Sequence, residues 1–122
     1  SKLNTVGKEL DKIHLELSEG IELSKSGLFN WSGARVYKYS LSKGGNKIWI
    51  QFVKEEISLY SGFYLQEGTD TIFKDILLEL GINNRIKINH KLNKTELINI
   101  FLNQVKIANE SFKKYEKKLE TE

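Results

Sequence analysis

The chain carries a heptad stripe at each end. Leu3, Val6, Leu10, Ile13 and Leu17 are spaced 3, 4, 3 and 4 apart, and Ile98, Phe101, Val105, Ala108, Phe112, Tyr115 and Leu119 keep the same alternation. That period sets every apolar residue on one side of an α-helix, which must then bury the stripe against something. Each terminal helix is the nearest partner for the other. The spacing therefore predicts two adjacent, antiparallel helices within one chain, or the same helices paired between two chains as a homodimer.

Between the stripes the pattern changes to a period of two. A first helix is predicted from about Asn4 to about Ser24, with Asn4 or Thr5 as its cap and Gly20 as a place where it could bend or stop early. Residues 27–33 hold Leu28, Phe29 and Trp31 between two glycines and read as an apolar linker. Strands are expected over residues 34–41, 47–54 and 57–66, the first two joined through Gly44-Gly45, whose freedom to adopt positive φ suits a tight hairpin. A second helix over residues 71–80 ends at Gly81, well placed as its left-handed terminator. Residues 82–92 alternate as a short edge strand or extended loop. Asn93 and Glu96 then open the last helix as a capping box, and that helix runs to about Leu119. Its basic end, about residues 113–122, is expected to project. The fold class is α+β: a three-stranded antiparallel meander, with a fourth short strand as an option, packed on helices in the order α-β-β-β-α-(β)-α.

At 122 residues the chain is expected to form a single domain, residues 1–122, with enough apolar side chains for a real core. No apolar run is long enough to span a membrane. Ser1-Lys2-Leu3-Asn4 has no apolar h-region, so a signal peptide is expected to be absent or already removed. Cysteine is missing altogether, which excludes disulfides and thiolate chemistry and fits a cytoplasmic protein. Net charge is −1 over residues 1–26, 0 over 27–81 and +4 over 82–122. The basic side chains are 17 Lys and only 2 Arg, a balance that weakens base-reading recognition and that AT-rich codons also produce.

Catalytic constellations are hard to assemble from this inventory. His14 and His90 are the only histidines. His14 neighbours the apolar stripe and reads as a boundary residue, while His90 has no acidic neighbour in sequence. Neither pattern supplies a base beside a nucleophile or a converging ligand set for a metal. Glu55-Glu56 and the Asp75/Glu79 pair read as solvated carboxylates. No phosphate loop is present, because Gly44-Gly45 lacks the Lys-Ser/Thr that would follow it. No enzymatic activity and no cofactor are expected.

Two surfaces remain. Alternation in the strands separates Ile48, Ile50 and Phe52 from Trp49, and Ile57 and Leu59 from Tyr60 and Tyr64. With Tyr37 and Tyr39 assigned to the same side, Tyr37, Tyr39, Trp49, Tyr60 and Tyr64 form a candidate binding face. Amphipathic aromatics on a sheet serve as protein contacts or stacking platforms, or are covered by a helix layer. The second surface is a candidate basic patch of Arg85, Lys87, Lys91, Lys113, Lys114, Lys117 and Lys118. The leading expectation is a non-enzymatic protein-interaction or assembly module, whole or part of a larger prokaryotic or phage-type protein, with a protein partner or a second copy. The alternative is a nucleic-acid-binding accessory domain whose basic last third gives weak, nonspecific contacts.

Overall fold

A computed structural model describes residues 2–31, 34–53, 56–63, 69–82, 85–87 and 92–121. Along the chain lie α1 (Lys2–Leu17), β1 (Lys25–Trp31), β2 (Ala34–Lys43), β3 (Asn46–Val53), β4 (Glu56–Phe63), α2 (Thr69–Glu79), β5 (Ile86–Lys87) and α3 (Lys94–Thr121). The strands form one sheet in sequential order, β1 to β5, with every neighbouring pair antiparallel. The α+β class, the meander and the succession of helices are those that the periodicities predict.

One strand was hidden from the sequence. Residues 25–31 are not an apolar linker but the edge strand β1, paired with β2 from Lys25↔Ser40 to Trp31↔Ala34. The connection that feeds it also shortens the first helix. α1 stops at Leu17 rather than near Ser24, and Gly20 follows in the left-handed region at φ 73°. Ser18 returns its hydroxyl to the Leu15 carbonyl, and Ser24 then donates both its amide and its hydroxyl to the Ser40 carbonyl. Helix gives way to sheet within seven residues: the Ser18 hydroxyl and the Glu19 amide satisfy the Leu15 and Glu16 carbonyls that the helix end releases, and the Ser24 bonds begin the pairing with β2.

The other boundaries follow the expected chemistry. Gly44 and Gly45 both take positive φ between Lys43 and Asn46, which is the two-residue hairpin loop whose twist matches its strands. At the end of α2 the Gly81 amide bonds the Leu78 carbonyl and the Ile82 amide bonds the Leu77 carbonyl, a Schellman pair around φ 70° at Gly81. Asn93 caps α3 by accepting the Glu96 amide on Oδ1 at 3.0 Å.

All three helices bury their stripes in one cluster on one side of the sheet. Leu10, Ile13 and Leu17 of α1, Phe73, Ile76 and Leu77 of α2, and Leu97, Phe101, Val105, Ala108 and Phe112 of α3 share it with Tyr37, Tyr39, Ile48, Ile50, Phe52, Ile57 and Leu59. Aromatic contacts knit the layers together. Phe101 lies between Tyr39 and Phe52, and Phe73 stacks on Phe112 and meets Tyr115 edge-on. The end of α1 is tied to the start of α3 by Lys94 and Glu16, whose nitrogen and oxygen lie 2.7 Å apart. At 28 residues α3 is about 42 Å long. It remains docked as far as Tyr115, which is buried, while Leu119 is 44% exposed.

Candidate functional site

The sheet's second face follows from the register. Cross-strand partners share a face, and Trp49 stands opposite Ser40 in β2 and Tyr60 in β4. Tyr37 and Tyr39 stand opposite Phe52 and Ile50 instead. They therefore belong with the helices and not with Trp49, at 8% and 0% exposure. The expected aromatic face loses both residues, because in a strand a shift of one position reverses the side chain. Their rings serve the core: Tyr37 packs on His14 at 5.7 Å between centroids, and Tyr39 on Phe101 at 4.9 Å. Tyr60 contributes a backbone position opposite Trp49, and Tyr64 lies outside the described residues.

What the second face gathers around Trp49 is positive charge. Trp49 is half-buried, with the Lys38 ammonium 4.6 Å and the Lys47 ammonium 5.9 Å from its ring centroid. Both distances fall within the range in which an indole attracts a cation through its quadrupole. Lys47 is two residues from Trp49 on the same strand. Lys38 reaches it diagonally from β2, where its direct partner is Gln51. Gln51 and Val36 of this face are 2% and 1% exposed, so the small or slender residues between the long ones are covered. The Gln51 Nε2 is buried without a hydrogen-bond acceptor. Phe29, half-buried, continues the face onto β1 opposite Val36.

The basic patch does not assemble as one surface. Lys87 pairs with Glu56 at the start of β4. The C-terminal part of α3 is held at the other end of the sheet by Glu116, which meets Lys43 at 3.1 Å beside the β2–β3 turn. Seven residues of strand separate those two levels, roughly 23 Å. Arg85 and Lys87 are exposed at one end, Lys113, Lys114, Lys117 and Lys118 are exposed at the other, and Lys91 lies outside the described residues.

Lys38 was not singled out by sequence reasoning, and Phe29 was read only as part of an apolar linker, although a signal for this segment was present. Residues 25–53 contain five basic residues and not one Asp or Glu, and the register sets Lys38 and Lys47 on the Trp49 side but Arg35 and Lys43 at positions of the Tyr37 and Tyr39 side. Averaging charge over residues 27–81 hid that run, because the acids of that segment all come after Val53.

A separate cleft of about 590 Å³ opens between residues 20–22, the end of β2 and α3, floored by Leu41, Val105 and Phe112. Its rim lysine, Lys43, is engaged by Glu116. Among the described residues no three His, Asp or Glu side chains stand together as a metal site, and no helix is long and apolar enough to cross a membrane. Comparison of the chain with protein-family models, with curated proteins and with solved structures finds no match.

Proposed function

We propose that this protein is a non-catalytic interaction module that engages a protein partner through the second face of its sheet. The observation that carries this reading is the position of Trp49. It sits on the middle strand of five, on the side away from the helix cluster, half-buried beneath two lysines. A large amphipathic ring at the centre of a face, rimmed by polar side chains, has the anatomy of a contact hot spot. The alternative, nucleic-acid binding through the basic last third, receives less support, since those side chains divide between the two ends of the sheet.

Stability and association together test the proposal. Trp49→Ser is expected to cost less than about 1 kcal/mol, because the residue is absent from the buried cluster. Light scattering is expected to return a monomer mass over a range of concentrations. A dimer mass that Trp49→Ser abolishes would turn the face into a self-association surface. A cost as large as that of emptying a core position would make Trp49 structural and remove the reading.

A further inference from the structure

Resting on that reading, we infer that the partner docks by strand addition: an extended segment of it pairs with the open edge of β1 and from there reaches the Trp49 face. The two edges of the sheet are unlike. β5 is two residues long and carries Lys87, and shortness and lysine are both means by which an edge is kept from pairing. β1 is seven residues long, and residues 26–31 include no charged residue and no proline. Its register with β2 is unbroken from Lys25↔Ser40 to Trp31↔Ala34. Among the described residues no strand pairs with its other side. Alternate residues of a strand turn their amide and carbonyl to opposite neighbours, so the open side of β1 presents backbone donors and acceptors at a repeat of two residues. An extended polypeptide is the partner whose own groups match that repeat.

Side chains beside the edge leave room for such a segment. Leu28 stands opposite Tyr37 on the helix side, and it is 39% exposed between the exposed Ser26 and Asn30. On the other side of the strand, Gly27 and the half-buried Phe29 share the face of Trp49. Gly27 adopts φ 138°, and nothing lies within 4 Å of the point where a Cβ would stand. A glycine inside a strand marks a place of close approach by another chain, and a large side chain on an added strand can cover it. The segment that fits therefore carries an apolar residue beside Leu28 and, at an adjacent position, a large one over Gly27.

Contact area decides between a partner's segment and a second copy. Pairing along the seven residues of β1 makes a strip roughly 23 Å long and about 10 Å deep, one sheet layer thick. Such a strip buries about 460 Å² over both partners, against the roughly 1,000 Å² that a specific interface needs. A second copy joined through β1 alone falls short of that area. A flexible segment can add to the edge and continue over Gly27 and Phe29 toward Trp49, so that one partner gathers both contacts.

The experiment selects random linear peptides of about twelve residues, longer than β1, on the full chain and follows a recovered peptide by NMR. In the free protein the amides of residues 26–31 are expected to alternate between slow and fast hydrogen exchange, and uniformly slow exchange would show the edge to be covered and overturn the inference. Bound peptide is expected to slow the fast set at least about tenfold and to shift the Trp49 indole N–H resonance. Leu28→Lys places a charge beside the edge and should weaken binding about tenfold, while Leu78→Lys, at a leucine 63% exposed on α2, should change it by no more than about twofold. Retained spectral dispersion confirms that both variants are folded. Equal effects of the two variants would overturn the inference. A peptide that shifts Trp49 while β1 exchanges as in the free protein would overturn strand addition and leave the reading of the face intact. Protection of β1 with no change at Trp49 would keep strand addition and count against the face. A dimer mass that Leu28→Lys abolishes would assign the edge to a second copy and overturn the inference, as would recovery of no peptide.

Discussion

The ring of Phe101 meets the ring of Tyr39 edge-on, 4.9 Å between centroids, where α3 crosses β2. Neither side chain is exposed to any extent. The contact joins the C-terminal heptad stripe to the centre of the sheet, and Phe52 completes it from β3 with its centroid 6.4 Å from that of Phe101. Helix register and sheet face are thus coupled through one aromatic group.

Truncating that group should be severe. Phe101→Ala is expected to cost about 3–5 kcal/mol, the usual range for an emptied aromatic site, against a total stability of order 5–15 kcal/mol. A chemical-denaturation midpoint equal to that of the parent would mean that the stripe does not face the sheet.

Tyr39 is expected to behave in the opposite sense. Its hydroxyl is buried without a hydrogen-bond partner, and such a group carries a desolvation penalty that no bond repays. Tyr39→Phe keeps the ring and removes the orphan, so the protein should gain up to about 1 kcal/mol and melt a few degrees higher. Lower stability would reveal a bond to the hydroxyl.

The same residue predicts a pH effect. Burial pushes the Tyr39 phenol above its ordinary value of about 10. The folded state therefore holds a proton that the unfolded chain releases, and stability is fully present below about pH 10 and lost as pH climbs beyond it. Subtracting the stability curve of Tyr39→Phe from that of the parent cancels the lysines common to both. The difference should grow more unfavourable to the parent above about pH 10, and a flat difference would count against the burial of the hydroxyl.

Helix termini give smaller, local effects. Asn93→Ala should cost about 1 kcal/mol by freeing the Glu96 amide. Gly81→Ala should cost about 1–2 kcal/mol, since a Cβ is unfavourable at φ 70°. Thermal melts resolve both, and a neutral Gly81→Ala would contradict the left-handed cap.

Nucleic-acid binding through the end of α3 should be weak. Four clustered lysines, Lys113, Lys114, Lys117 and Lys118, would give a log–log salt slope on duplex DNA of roughly −3.5 at most. Binding is expected to vanish near 0.15 M salt, where screening is strong. Tight binding that persists there would promote the nucleic-acid reading over the protein partner.

Much of this molecule was legible in the chain. Periods of 3.5 and 2 are read from residue spacing alone, and they located three helices, the meander and the buried set Phe101, Val105 and Phe112. Gly44-Gly45, Gly81 and Asn93 marked their turns and caps because backbone geometry at those points depends on the residue itself. The phase of β2 was not legible. Val36, Tyr37, Tyr39, Ser40 and Leu41 are all buried, so the strand shows no clean alternation to say which side faces the helices. Only pairing with β3 decides it, by setting Tyr39 opposite Ile50 and Ser40 opposite Trp49. β1 stayed hidden for a related reason, since Gly27 within it and Gly33 after it resemble loop punctuation in the sequence until β2 supplies the partner carbonyls and amides. The candidate site is likewise a product of register. Lys38 is eleven residues from Trp49 in sequence, and it reaches the indole because two strands align them diagonally. The local pattern determined which segments are helix or strand and most of the residues they bury. Long-range pairing determined which side chains meet on the open face, because a face is a property of several strands at once.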